Sequence, residues 1–228
     1  MLSVSGGIDS AVTLGILTKV PSIKEIWAVN QPINSSNWSV SRSIEVCKKF
    51  DVELKIINQT SMYKNIIDEF ENNLGLNTDI FSNGQLKSYM RTPINYYMAQ
   101  LLTRRSCPAV VVGTGNYDED GYLGYFCKAG DGVVDIQLIS DLHKSEVFKL
   151  GKYIGVPDSI LKAPPSADLW DGQTDEEELG FSYDFVEFFM GCRDMLSADE
   201  LSLYSEQFDK IKSIHEKNKH KFTHVVNL

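Results

Sequence analysis

Two apolar stretches of different period open the chain. Met1 to Val4 is a short, mainly apolar run, and apolar residues at helical spacing follow residue 10: Ala11, Val12, Leu14, Ile16 and Leu17. Between these stretches lies the polar, glycine-containing sequence SGGIDS, Ser5 to Ser10. The pattern predicts a strand, a tight glycine turn and the start of a helix.

Further apolar runs alternate with helical patterns over the next hundred residues. Strands are predicted at Glu25–Asn30, Val52–Ile57 and Ala109–Gly113. Helices are predicted at Val40–Phe50, Met62–Leu74 and Gln85–Arg105, with a loop at Gly75–Asn83. Pro93 should kink or restart the last helix. Strands that alternate with helices predict the α/β class, a doubly wound parallel sheet that binds ligands beyond the carboxyl ends of its strands.

The last third of the chain has a different pattern. Beyond Gln137 it predicts helices, so we expect residues 1–228 to form a single domain that is mainly helical over 140–228. Helix caps are predicted from spacing at Asp141, at Thr174 with Glu177 and at Ser197 with Glu200, which opens a charged helix to about Lys219. The segment Lys162–Gly180 is too rich in Pro, Gly and Asp for regular structure. A loop of that length usually serves a function.

Composition narrows the class of protein. Apolar residues make up 43% of the 228 positions and charged residues 23%, as in a globular protein with a real core. The net charge of -9 disfavours a surface that binds nucleic acid. Four cysteines without CxxC spacing indicate neither a zinc site nor disulfides. No apolar run reaches membrane-spanning length and no signal peptide precedes the first strand, so the sequence predicts a cytoplasmic protein.

The residues of the SGGIDS turn, taken alone, allow two interpretations. Gly6 and Gly7 let the backbone approach a ligand, and the amides of the turn and of the new helix would then converge on a phosphate. Asp9 would repel a bare phosphate, which makes sense where a divalent cation bridges the two. The alternative is an ordinary turn in which Asp9 and Ser10 cap the helix.

The motif S-G-G-x-D-S resembles the signature of the ATP pyrophosphatases of the adenine nucleotide alpha-hydrolase type. The resemblance implies a Rossmann-like sheet and cleavage of ATP between its alpha and beta phosphates. Two further segments resemble the NAD synthetases, the amide-forming branch of these enzymes. One is GTGNYDEDGYLGYFCKAGDGVVD, Gly113 to Asp135, and the other is KAPPSADLWDGQTDEEELG, Lys162 to Gly180. With MRTPINYYMAQ and a terminal KNKHK, the likeness covers more than half of the chain.

The resemblance implies roles for individual positions. Asp9, Glu119 and Lys144 would be catalytic, and Asp9 and Glu119 would bind Mg²⁺. The substrate deamido-NAD would contact Arg91, Lys128, Asp135, His220 and Lys221. The implied ATP contacts are Ser3, Ser5, Gly6, Gly7, Ile8, Asp9, Ser10, Thr114, Lys144 and Ser166.

The chain departs from the family pattern at several of these places. One extra residue lies between Thr114 and Lys128, so counting from the other end makes Asp120 the metal ligand instead of Glu119. Tyr89 stands where the family has an Arg that contacts the substrate. Asn30 replaces an Arg expected after the second strand, which leaves the adenine contacts open. A Thr expected before Lys128 is Cys127, a buried small residue with no His near it to activate a nucleophile.

The expected reaction is ATP-dependent amidation of deamido-NAD with free ammonia, since the 228 residues leave no room for a glutaminase domain. Lys162–Gly180 would form a lid that keeps water off the adenylate. The alternatives are an ATP pyrophosphatase acting on a tRNA or purine acceptor, and an inactive nucleotide-binding subunit. The turn lies very close to residue 1. We therefore expect either an unusually short segment before the first strand or a sequence that is a fragment of a longer one.

A homodimer is the expected assembly, and the substrate site would lie close to its interface. The resemblance implies this, and the helix Arg91–Leu102 is apolar over more than one face. The alternative is that an aromatic segment of the same chain covers the helix: Phe185, Phe188, Phe189 and Met190.

Overall fold

The computed structural model describes residues 1–105, 107–166, 168–169 and 172–223. Five parallel strands form one sheet in this part of the chain: β1 (Leu2–Ser3), β2 (Ala28–Asn30), β3 (Leu54–Ile56), β4 (Val112–Gly113) and β5 (Ile136–Gln137). Their order is β3-β2-β1-β4-β5. The prediction of a doubly wound α/β fold is confirmed. The order reverses between β1 and β4, the place where such sheets bind ligands.

The predicted strands lie in the sheet but are shorter than expected, and β5 was not predicted. The apolar run before β4 extends to Ala109, yet only Val112 and Gly113 pair in the ladder. β5 contains one apolar and one polar residue, too short for a periodic pattern to identify. It pairs with β4 at Val112–Ile136 and Gly113–Gln137.

The helices of the first half follow the predicted positions with different ends. They are α1 (Ile8–Leu17), α2 (Asn37–Lys49), α3 (Thr60–Asp68) and α4 (Ile80–Arg105). A π-helical turn, Glu69–Asn73, follows α3. The predicted loop at Gly75–Asn83 is wrong after residue 79, because α4 begins at Ile80. Pro93 lies inside α4 without restarting it. No helix in the described ranges is long and apolar enough to cross a membrane.

Helices follow β5 as predicted, but several of their caps differ. They are α5 (Lys144–Ile154), α6 (Asp158–Leu161), α7 (Asp175–Leu179), α8 (Tyr183–Cys192), α9 (Ala198–Leu203) and α10 (Ser205–Asn218). His143, not Asp141, is the N-cap of α5. Thr174 precedes α7 but its side chain makes no capping bond. The capping box of Ser197 and Glu200 is confirmed, although the predicted charged helix is broken into α9 and α10 at Tyr204.

Two hydrophobic clusters stabilise the described residues. One joins the sheet to α1, α2 and α5 and includes Leu2, Val12 and Val147, which are buried. Gly151 lets α5 approach α1 closely, because a Cβ at this position would lie 2.9 Å from Ile8 Cδ1 and 3.1 Å from Val12 Cγ2. Interiors packed at this density do not absorb an extra methyl group without movement. The spacing of α1 and α5 therefore depends on Gly151.

The second cluster is aromatic and belongs to the helical part. Phe189 and Phe208 pack edge to face with ring centroids 5.0 Å apart. Phe185 and Phe188 pack on Tyr204 and Phe208 at centroid distances of 5.4 to 6.0 Å. These side chains join α8 to α10. The aromatic segment expected as a possible cover for α4 thus packs on α10.

Candidate active site

The SGGIDS turn leaves β1 at the carboxyl edge of the sheet and is held against α2. Gly6 has a φ of +90°, a conformation that other residues rarely adopt. A Cβ on Gly6 would lie 2.4 Å from the carbonyl oxygen of Ser39. The Ser39 hydroxyl donates to the Ser5 carbonyl at 2.7 Å. Glycine is required here both by the backbone angle and by the contact with α2.

The turn opens α1 with its first amides free. Gly7 is the N-cap in extended conformation, and as a glycine it has no side chain that could cap the helix. Ser10 Oγ instead accepts from the Ser5 amide and donates to the Gly7 carbonyl, which closes the turn. In the described residues the amides of Ile8, Asp9 and Ser10 have no acceptor. They lie at the positive end of the helix dipole, as an anion site requires.

The β4 end supplies the second wall of the site. Thr114 follows β4, and the loop enters a π-helical turn, Tyr117–Leu123, whose N-cap is Asn116. The buried Asn116 side chain donates to Asp9 Oδ1 at 3.1 Å and accepts from the Glu119 amide at 3.0 Å. Asn116 thereby holds the two predicted metal ligands on one side of the site.

Lys144, the first residue of α5, lies between these carboxylates. Its Nζ is 2.7 Å from Asp9 Oδ2 and 2.6 Å from Glu119 Oε1, and its side chain is only 4% exposed. The ammonium also lies 5.2 Å from the centre of the Tyr183 ring. Burial disfavours the charge, but attraction to Asp9 and Glu119 is stronger and raises the pKa of Lys144. The structure thus brings together the three residues predicted to be catalytic.

One ammonium faces two carboxylates, so the cluster carries a net negative charge. Burial raises the pKa of Asp9, with Lys144 opposing it. Burial also acts to raise the pKa of Glu119, but attraction to Lys144 and hydrogen bonding outweigh it and the pKa falls. Two carboxylate oxygens that converge on one cationic point are a donor set that Mg²⁺ accepts, with phosphate oxygens and water completing it. The residues therefore fit the ion.

Asp120, the alternative metal ligand, has a different position. Its carboxylate lies against Gly115, where a Cβ would be 1.9 Å from Asp120 Oδ2. It makes no hydrogen bond with Lys144 among the described residues. Burial and the neighbouring carboxylates of Asp131 and Glu119 raise its pKa well above the usual value. The geometry favours Glu119 as the ligand, although its role stays a prediction.

Ser3, which is also predicted to contact ATP, lies near the same edge of the sheet. Ser3 Oγ, at the end of β1, donates to Asn95 Oδ1 at 3.1 Å and accepts from Gln31 Nε2 at 3.2 Å. Gln59 Nε2 extends this network to Gln31 Oε1 at 2.6 Å. Asn30, in place of the expected Arg, donates to the Val4 carbonyl at 2.8 Å. A neutral amide that hydrogen-bonds to the backbone thus stands where the resemblance predicts a charged side chain.

The predicted lid, Lys162–Gly180, is docked on the rest of the chain; its residues 167, 170 and 171 lie outside the described part. Asp168 Oδ2 accepts from the amide and hydroxyl of Ser36 at the start of α2, both at 3.1 Å. Lys87 Nζ donates to the Leu169 carbonyl at 2.6 Å. Ser166 Oγ donates within the segment to the Gln173 carbonyl. The expectation of no regular structure was wrong at α7, which lies inside the segment.

We expect ligands to protect this segment from proteolysis. Thermolysin should cleave it in the free protein, because its Pro, Gly and acidic residues bury little apolar surface. ATP, Mg²⁺ and deamido-NAD together should slow cleavage about tenfold, since a ligand stabilises the state that binds it. Asp168→Ala removes the bonds to Ser36 and should speed cleavage without ligand. Cleavage at equal rates with and without ligands would contradict a lid.

Two of the substrate residues predicted from the resemblance hold the C-terminal segment. Lys128 Nζ donates to the carbonyls of His220 and Thr223, and Lys221 Nζ donates to those of Gly124 and Phe126 at 2.7 and 2.8 Å. A cavity of about 200 Å³ lies between the segments, with Asp120 and both lysines in its wall. The structure places these lysines beside the Glu119 turn. His220 is exposed on the same segment.

Asp135 and Arg91 have separate surroundings. Asp135 precedes β5, and its carboxylate accepts from the Val111 amide at 2.7 Å and the Tyr96 hydroxyl at 3.2 Å. It therefore lies where strands begin and is not brought to the SGGIDS turn. Arg91 Nε donates to the Gln31 carbonyl at 3.4 Å, and burial lowers its pKa. Substrate contact by either residue stays a prediction.

Sequence reasoning missed two residues that contact the three predicted catalytic side chains. Asn116 joins Asp9 to Glu119, and Tyr183 lies over the Lys144 ammonium. The polar Asn116 directly after a buried strand is a signal that could have been used, because strand ends in parallel sheets carry functional side chains. Tyr183 is distant in sequence, and no local pattern indicates its contact.

A glycine turn with free amides, two carboxylates and a lysine at the switch point of this sheet place the protein in the class of ATP pyrophosphatases of the adenine nucleotide alpha-hydrolase type. The family model described as NAD synthase matches residues 1–225, and the chain belongs to this family. It is thus a ligase that forms a carbon–nitrogen bond.

Three relatives illustrate the similarity. An NH(3)-dependent NAD(+) synthetase of Thermoplasma volcanium is 36% identical over 97% of this chain and 86% of its own. The solved NMN synthetase of Francisella tularensis superposes with a TM-score of 0.84 at 31% identity, covering 100% of this chain and 87% of its own. The NH3-dependent NAD synthetase of Campylobacter jejuni has a TM-score of 0.75 at 25% identity, with 100% and 88% covered.

Proposed function

We propose that this chain amidates deamido-NAD to NAD with ammonia, driven by cleavage of ATP to AMP and pyrophosphate. The observation that carries the proposal is the convergence of Asp9, Glu119 and Lys144 beside the free amides of the SGGIDS turn. Positive and negative groups are then available where a triphosphate and its cation would lie. The names of the relatives supply the acceptor and the nitrogen donor.

The first step activates a carboxylate that is a poor electrophile. An oxygen of the nicotinate carboxylate attacks the alpha phosphorus, and the bond from that phosphorus to the bridging oxygen of pyrophosphate breaks. The amides of Ile8 to Ser10 bind phosphate oxygens, and Lys144 neutralises the charge that grows on the departing pyrophosphate. Magnesium, held by Asp9 and Glu119, would add positive charge at the same oxygens.

The second step uses the acyl adenylate. Ammonia attacks the acyl carbon, AMP leaves with the bonding electron pair, and the added nitrogen loses a proton to give the amide. No side chain becomes covalently bonded, so no nucleophile triad is required. The chain's own contribution is to orient the adenylate and to exclude water through the segment Lys162–Gly180.

A second candidate substrate is nicotinate mononucleotide. The solved structure with a TM-score of 0.84 is named an NMN synthetase, and its identity to this chain is 31%. Tyr89 also replaces an Arg expected to contact the dinucleotide. These features favour testing the smaller substrate beside deamido-NAD.

Pyrophosphate release tests the function directly. The purified chain should release pyrophosphate from ATP and Mg²⁺ when deamido-NAD and ammonium are present, and product NAD should appear in equal amount. Glutamine in place of ammonium should give no product, because the synthetases of Thermoplasma volcanium and Campylobacter jejuni are named for ammonia. Turnover with nicotinate mononucleotide alone would select the second candidate. Release stimulated only by a tRNA or a purine acceptor, or ATP binding without turnover, would contradict both.

We also propose that the chain forms a homodimer through α4. Tyr97 is 63% exposed and Leu101 is 45% exposed on this helix, while Ala99 and Leu102 are buried. The aromatic residues of α8 pack on α10 and do not cover this face of α4. Apolar and aromatic side chains exposed on one helix are typical of an interface.

Light scattering at micromolar concentration should give twice the chain mass of 25.7 kDa. Tyr97→Glu should shift the protein toward monomer, because a charge would be buried in the interface. Tyr153→Glu is the matched control, since Tyr153 is 87% exposed on α5 and should leave the mass unchanged. A wild-type monomer with full turnover would overturn the dimer.

A further inference from the structure

A second polar cluster lies directly behind Lys144, at the start of α5. Asp118, His143 and Glu187 each offer a ligand atom within 4.8 Å of the others, and no other such trio occurs in the described residues. Asp118 is fully buried, and His143 is partly exposed. None of the three was assigned a role in binding or catalysis above. Their contacts decide what the cluster does.

The hydrogen bonds direct this cluster to the backbone of α5 and not to a metal. Asp118 Oδ2 accepts from the Lys144 amide at 2.6 Å, and Glu187 Oε1 accepts from the Ser145 amide at 2.8 Å. These are the first two amides of the helix, where the dipole favours anions and disfavours a cation. Both carboxylates are therefore helix caps.

Asp118 and Glu187 differ in the other contacts that they and their neighbours make. Its Oδ1 pairs with His143 Nδ1 at 2.7 Å, and the next residue, Glu119, binds the Lys144 side chain. One turn of chain thus binds Lys144 twice, by its amide through Asp118 and by its ammonium through Glu119. Glu187 accepts from the amide and hydroxyl of Ser145, and among the described residues it makes no hydrogen bond with Lys144.

Two more contacts fix the same junction. The Tyr117 amide donates to the Leu142 carbonyl at 2.9 Å. The Tyr117 ring packs edge to face on His143 with centroids 5.3 Å apart. The turn Tyr117–Leu123 therefore contacts three successive residues at the start of α5: Leu142, His143 and Lys144.

From this geometry we propose that Asp118 is a positioning residue, which sets where the Lys144 ammonium can reach; the proposal rests on the proposed function of the site. Lys144 binds Asp9 and Glu119 in the structure and must turn its side chain to phosphate when ATP enters. A flexible side chain reaches a defined point only from a fixed backbone. Asp118 holds that backbone while the side chain moves.

The matched pair of variants is Asp118→Ala and Glu187→Ala. Each removes one carboxylate from the first turn of α5, so each should lower the melting temperature by a few degrees. Only Asp118→Ala frees the Lys144 amide. It should lower kcat/KM for ATP about 100-fold, the cost of a misplaced group, and leave KM for the nicotinate substrate within about twofold. Glu187→Ala should change kcat/KM for ATP less than about threefold.

Asp118→Asn tests whether the acceptor is what matters. Its carbonyl oxygen can still accept from the Lys144 amide and its NH2 can donate to neutral His143, so activity should return to within about fivefold of wild type. Equal losses in Asp118→Ala and Glu187→Ala would overturn the proposal, and so would an Asn variant as poor as Ala. Full activity in Asp118→Ala would do the same.

Calorimetric binding of MgATP separates this proposal from the proposed function. If the wild type turns over neither nicotinate substrate, the proposed function fails. Weaker MgATP binding in Asp118→Ala than in Glu187→Ala would still support Asp118, and equal binding would overturn it. Where Asp118→Ala does not fold, Asp118→Ser takes its place, because a hydroxyl is too short to repeat the 2.6 Å bond.

Discussion

Asp9→Asn and Glu119→Gln should each lower turnover by roughly 10²–10³-fold, the usual cost of removing a group that stabilises charge in a transition state. Each substitution keeps the size of the side chain and removes the negative charge of one carboxylate that is predicted to bind Mg²⁺. Lys144 Nζ lies within 2.7 Å of both carboxylates, so both contribute to the same cationic point. Pyrophosphate release at saturating ATP and deamido-NAD measures the loss.

Asp120→Asn is the control for this pair. Asp120 neighbours Glu119 in sequence, and among the described residues it makes no hydrogen bond to Lys144. Asp120 lines the cavity between Lys128 and Lys221, so loss of its charge should act on KM, and we expect turnover at saturating substrates to stay within about threefold of wild type. Full activity in Glu119→Gln together with loss in Asp120→Asn would show that Asp120 is the metal ligand.

Lys144→Met should destabilise the protein by about 3–5 kcal/mol in the absence of divalent cations, because it leaves Asp9 and Glu119 buried without their counter-charge. Turnover should also fall by about 10²–10³-fold, since the ammonium no longer neutralises the leaving pyrophosphate. Added Mg²⁺ should stabilise the variant more than the wild type, because it can replace the missing positive charge. Thermal unfolding with and without Mg²⁺ measures the difference.

Lys149→Met provides the comparison on the same helix. Lys149 is exposed on α5, so its loss should change stability by less than about 0.5 kcal/mol and leave the Mg²⁺ response unaltered. A Lys144 variant as stable as wild type, with no added response to Mg²⁺, would mean that the two carboxylates are neutral in the folded protein. The charge argument for the site would then be wrong.

The sequence predicted the parts of the fold that depend on local pattern. The strand, glycine turn and helix around SGGIDS follow from the apolar period and from Gly6, whose conformation other residues rarely adopt. The sequence did not predict β5, because a strand of two residues has no periodic pattern. Its pairing with β4 depends on the rest of the sheet. The sequence predicted Asp141 as the N-cap of α5, but His143 has this position in the structure. The reason is that the Tyr117 amide binds the Leu142 carbonyl just before the helix.

The site was only partly accessible to the same reasoning. Asp9, Glu119 and Lys144 were identified by resemblance, which names residues without giving their distances. Asn116 and Asp118 act by hydrogen bonds to groups up to 107 residues away in sequence, and no spacing rule predicts such a bond. Tertiary contact, not local propensity, determines these roles.

Because α5 contacts α1 closely at Gly151, the geometry of the site depends on a residue that has no side chain. A methyl group at this position would press on Ile8 and Val12 and act as a wedge between the helices that carry Lys144 and Asp9. The gap between ammonium and carboxylate would then widen although no charged residue had changed. In a survey of inactive variants, substitutions at this glycine would resemble active-site lesions, and only the geometry of the helix pair would explain them.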